Sequence, residues 1–130
     1  NYITLLAATI AAMVVGALWY SPLLFVKEWM NLIGKSEKEC KENISPQQLL
    51  LVVVATLVAA YVLSFFIYYL GARDWMDGVK IGALAWLGFN AMLGYGEYTF
   101  AGWPTKLYIL NKAHQLVTLV VMGAIIATLS

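Results

Sequence analysis

The chain has 130 residues, of which 62% are hydrophobic and 12% charged, with a formal net charge of +1 at neutral pH. A soluble domain carries charges at about 25% of its positions, so this composition excludes an ordinary water-soluble fold and predicts an integral membrane protein. The small net charge, with basic residues dispersed among acids, argues against a nucleic-acid partner, and a lone cysteine, Cys40, leaves no intrachain disulfide or thiolate metal cluster.

A bilayer crossing takes about 20 apolar residues, and four such stretches fill the sequence, at about 2–20, 46–70, 75–98 and 104–129. The expectation is an all-α polytopic membrane protein in which residues 1–130 form one four-helix transmembrane domain. The first run ends in Trp19-Tyr20 and not in a small-residue cleavage site, so it reads as a retained helix. Ala8, Ala12 and Gly16 recur along it every four residues and provide a face for close helix packing. Ser21-Pro22 then has the form of a cap followed by a first helical residue, which predicts a short interfacial helix over about 22–33. Leu23, Leu24, Phe25 and Trp29 are its apolar anchors and Gly34 its stop. Trp19, Tyr20, Trp29 and Trp103 are the expected interface anchors.

Mixed charges fill 35–45, where Ser36 and Glu39 have capping-box spacing, and Ser45-Pro46 announces the second span. Thr56, Ala60, Ser64 and Tyr68 fall on one face of that span as a packing stripe. Arg73, Asp74 and Asp77 form a polar turn before the third span, whose Gly78 and Gly82 again suit close contact. Gly94-Tyr95-Gly96 lacks the preceding pore helix and threonine-valine pair of a potassium filter.

Polar residues enter the apolar spans at two places. Asn90, Gly94 and Glu97 form one helical stripe, and Asn111, His114, Gln115 and Thr118 form another. Only the turn at Gly102, Trp103 and Pro104 separates the two segments, so they should pack as an antiparallel hairpin. At about 1.5 Å per residue, Asn90 and His114 then come to similar depth, with Glu97 and Asn111 nearer the mouth of the same track. Intramembrane polar groups are functional hypotheses by default. Against that stands structural glue, in which the asparagines bond across the hairpin for about 0.6 kcal/mol, while Lys112 snorkels.

The run Leu-Trp-Tyr-Ser-Pro-Leu-Leu-Phe at 18–25, followed by Lys27 and Trp29, is joined later by Trp86-Leu87-Gly88-Phe89, Lys106-Leu107-Tyr108 and Met122-Gly123. With these motifs the chain resembles, over nearly its whole length, a family of small bacterial four-span membrane proteins catalogued only as a domain of unknown function. The resemblance implies the four-span architecture and brings no activity. It also implies an aromatic residue followed by His where this chain has His114-Gln115.

No nucleophile elbow, phosphate loop, His-Glu metal motif or cysteine pair is present, so no enzyme activity, cofactor or metal is expected. The leading reading is a homo-oligomeric transporter or channel-like protein with the polar track between spans three and four. The alternatives are a non-catalytic accessory subunit of a larger membrane complex and, third, a quinone- or haem-binding redox protein. The small-residue faces suggest contact with other chains, in a homo-oligomer or a larger complex. Lys27, Lys35, Lys38, Lys41 and Lys106 fall in the loops after spans one and three, against Arg73 and Lys80 on the opposite side. This distribution predicts a bacterial inner-membrane protein with loops 21–45 and 99–103 in the cytoplasm and both termini outside.

Overall fold

A computed structural model describes residues 2–22, 24–36, 38 and 45–129. Leu23, Cys40, Lys41 and Glu39 of the expected capping box lie outside the described residues. The elements are α1 (Tyr2–Trp19), α2 (Val26–Ile33), α3 (Pro46–Tyr69), α4 (Trp75–Ala85), a π-helical turn (Trp86–Ala91), α5 (Met92–Ala101) and α6 (Thr105–Leu129). Three of these, α1, α3 and α6, are long and apolar enough to cross a membrane. The arm from Trp75 to Ala101 is divided by the π turn, and its α segments have 11 and 10 residues.

Local chemistry accounts for most of the boundaries. The Ser45 hydroxyl accepts from the Gln48 amide at 3.1 Å and caps α3 over Pro46, while Gly34 closes α2 with φ of 72°. Asp74 caps α4 by accepting from the Asp77 amide at 3.0 Å, and Asp77 accepts from the Arg73 amide at 2.9 Å, so the acids of that turn form a reciprocal cap. Helix α2 starts later than its sequence suggests, at Val26. The Ser21 hydroxyl bonds back to the Leu18 carbonyl at 2.7 Å, so it terminates α1 and does not cap α2, which has no side-chain cap.

The order of the bundle follows from cross-contacts. Thr4 lies against Leu129 and Gly16 against His114, so α1 is antiparallel to α6. Gly78 meets Gly123 and Tyr98 meets Asn111, so the α4–α5 arm is antiparallel to α6 as well. Helix α6 touches α1, α2, α3, α4, the π turn and α5, and is the axis of the bundle. The core gathers Ala8 and Ala12 of α1, Ala60, Leu63 and Ile67 of α3, and Met122, Ile126 and Ala127 of α6. Gly78 and Gly82 are buried too, so the small-residue faces are used inside the protomer. Gly16 is half-buried against the His114 imidazole.

Large apolar side chains cover the outside, among them Leu84 at 67% exposure and Leu93 at 72%. Such a perimeter matches a lipid solvent, which removes the penalty that water would impose on it. Tyr68 belongs to this outer surface at 79% exposure and so leaves the expected packing stripe, whose Ala60 is fully buried.

Candidate functional site

The site grows out of one seam. From Gly78 the α4–α5 arm meets α6 through every fourth residue: Gly78, Gly82, Trp86, Asn90, Gly94 and Tyr98. In a regular α-helix residues four apart are rotated by about 40°, so five steps would carry the seam about 200° away from its partner. The wider π turn over Trp86–Ala91 works against that drift and keeps the later residues on α6. It is tied down from α6 on both sides. The Trp86 indole donates to the Lys112 carbonyl at 2.8 Å, and the Tyr108 hydroxyl donates to the Ala91 carbonyl at 2.6 Å.

At the lower edge of the π turn stands Lys112. Its ammonium donates to Asn90 Oδ1 at 3.0 Å and to Gln115 Oε1 at 3.2 Å, and lies 5.8 Å from the centre of the Tyr98 ring. Gly94 makes the room: a Cβ there would stand 2.5 Å from Nζ. Lys112 lies about 10 Å along α6 from Thr105, a depth at which an ammonium needs partners. The two that hold it are neutral amides, so its positive charge is solvated but not cancelled. Glu97 is exposed, and its charge acts on Lys112 across space.

Asn111 joins this cluster to α1. It donates from Nδ2 to the Tyr98 hydroxyl at 2.9 Å and accepts from the Tyr20 hydroxyl at 2.7 Å, so one amide links three helical segments. The Tyr20 ring packs edge-on against His114 at 5.0 Å between centres, and Trp19 lies 6.1 Å from the same imidazole. Thr118 stands 3.3 Å from His114 Nε2 while donating to the His114 carbonyl at 2.9 Å. The Trp19 indole nitrogen is buried without a hydrogen-bond partner, the cost at which its ring is wedged between Phe25 and His114. Among the described residues no three of His, Cys, Asp or Glu stand close enough together to hold a metal ion.

A family profile described as a protein of unknown function (DUF1761) matches residues 3–127. The chain belongs to this family. No curated protein and no solved structure matches it.

In this DUF1761 chain Asn90 of the first stripe and Gln115 of the second both reach Lys112, which belongs to neither stripe. Asn90 pairs with Lys112 and not with His114, because residues 112 and 114 are about 200° apart around α6 and face different helices. Asn111, Gln115 and Thr118 are half-buried beside them, while Glu97 stays outside. Trp19 and Tyr20 turn toward His114, Trp29 packs on Tyr20, and Trp103 is half-exposed against Tyr98. The residue that sequence reasoning passed over is Lys112. Its signal was present, since it lies three positions before Gln115, about 10 Å inside a span.

Proposed function

We propose that this protein is a small membrane transporter or channel-like protein that admits a small anion at Lys112. One observation carries the reading: a lysine well inside a helix of the bundle is held by two neutral amide oxygens, with its charge left for a passing negative group. The Tyr20–Asn111–Tyr98 chain beside it offers further hydroxyl and amide groups to a dehydrating solute. In this reading the arm from Trp75 to Ala101 is a fourth crossing. The end of the bundle holding Lys27, Lys35, Lys38 and Lys106 is the cytoplasmic side of a bacterial inner membrane, and both termini are outside. The protein works as a homo-oligomer, assembled through faces other than the glycine and alanine seams consumed within each protomer.

The test is reconstitution. Liposomes containing the purified chain should pass chloride, nitrate or acetate at rates that saturate with concentration, while potassium and sodium move no faster than through protein-free vesicles. Anion movement equal to that of empty liposomes, or an equal acceleration of cations, would overturn the reading.

A further inference from the structure

A groove of about 590 Å3 runs between the interfacial helix α2 and the first turns of α6, and the polar layer around Lys112 makes no use of it. Its floor is apolar, with Trp19, Phe25, Leu32, Ile109 and Leu110. Its rim carries opposite charges on different helices, Glu28 on α2 and Lys106 at the start of α6, with Asn31 beside them. The two charges line one groove yet form no ion pair with each other, and neither has another partner among the described residues. Lys106 belongs to the first turn of a spanning helix and α2 is amphipathic, so the rim sits where hydrocarbon gives way to headgroups.

An apolar floor beneath a separated pair of opposite charges is complementary to one class of molecule. We propose that this groove binds a single phospholipid with a zwitterionic headgroup bearing a primary amine, its phosphate toward Lys106, its ammonium toward Glu28 and an acyl chain along the floor. Opposite charges on the rim of one groove suit a phosphoethanolamine head, in which anion and cation are joined by a short link. A primary ammonium donates charge-assisted hydrogen bonds to a carboxylate, whereas a quaternary choline has no N–H to give. A phosphatidylglycerol supplies the phosphate and leaves Glu28 facing a neutral hydroxyl. The assignment concerns lipid recognition and stands apart from the transport reading.

Native mass spectrometry of the full chain, delipidated and offered phosphatidylethanolamine, phosphatidylcholine or phosphatidylglycerol in matched micelles, tests it. One phosphatidylethanolamine should be retained per protomer, about tenfold more tightly than either competitor. Glu28→Gln should bring phosphatidylethanolamine down to the level of phosphatidylcholine, and Lys106→Gln should weaken all three. Both changes lie on the rim; Ala113 also lines the floor, and a third variant, Ala113→Phe, should fill it and expel every lipid while leaving the charges in place. Equal retention of the three lipids, or a preference that Glu28→Gln does not alter, would overturn the proposal. So would glycerophosphoethanolamine, which has the head without the chains, competing at the same concentration as the intact lipid, because the floor would then contribute nothing.

Discussion

Leucine in place of Gly82 is expected to leave no stably folded bundle in detergent. A Cβ at this position would stand 2.5 Å from the Leu119 carbonyl oxygen and 2.9 Å from its carbon, both backbone atoms of α6. A flexible side chain can step aside, but a helix backbone cannot, so α4 and α6 would have to separate along their whole seam. Overpacking in a yielding core costs about 1–3 kcal/mol, and here the loss should exceed that range because the Gly78–Gly123 contact opens as well. Gly88 supplies the control, since nothing lies within 4 Å of a Cβ built there. Thermal unfolding followed by circular dichroism should show Gly88→Ala melting close to the parent and Gly82→Leu without a cooperative transition. A Gly82→Leu protein that melts within a few degrees of the parent would mean that the two backbones do not approach as described.

The second large effect is an asymmetry around Lys112. Asn90→Leu removes one of two acceptors and leaves the ammonium partly buried beside a leucine, and losing a hydrogen bond to a charged group costs about 1.5–3 kcal/mol. Lys112→Met removes the charge together with its need for solvation, and methionine fills most of the same space. The expected order of stability is therefore Lys112→Met close to the parent, Asn90→Leu well below both, and the double variant recovering much of the loss. Chemical unfolding of the four proteins in one detergent gives the coupling energy directly. Additive losses would show that Asn90 and Lys112 do not act as a pair.

How much of this was legible in the sequence differs from element to element. The stretches that became α1, α3 and α6 were visible from hydropathy alone, and the Ser45 cap and Gly34 stop were readable because each depends on residues within one turn. Ser21 was misread for the same local reason: a hydroxyl between two helices can serve either, and the chain's path decides that it bonds backward to Leu18. The π turn was not legible, because the contact seam with a period of four that it sustains exists only once the helices are packed, whereas a regular helix repeats every 3.6 residues. The polar layer was half visible. Its residue types and depths were in the sequence, but which helix each would face was not, because the stripe through 111, 114, 115 and 118 is wide enough to touch two neighbours. His114 turned to α1, and Lys112, set aside as a snorkelling side chain, became the centre of the cluster on the α5 side.

If Lys112 serves a solute, as proposed, and not merely the packing of the bundle, its charge should matter to flux and not to folding. The most direct measurement compares anion flux and unfolding midpoint for the parent and Lys112→Met in the same liposome preparation. Anion movement should fall to the rate of protein-free vesicles while the midpoint stays within a few degrees of the parent. Flux that survives the loss of the ammonium, or that falls only in step with stability, would contradict it.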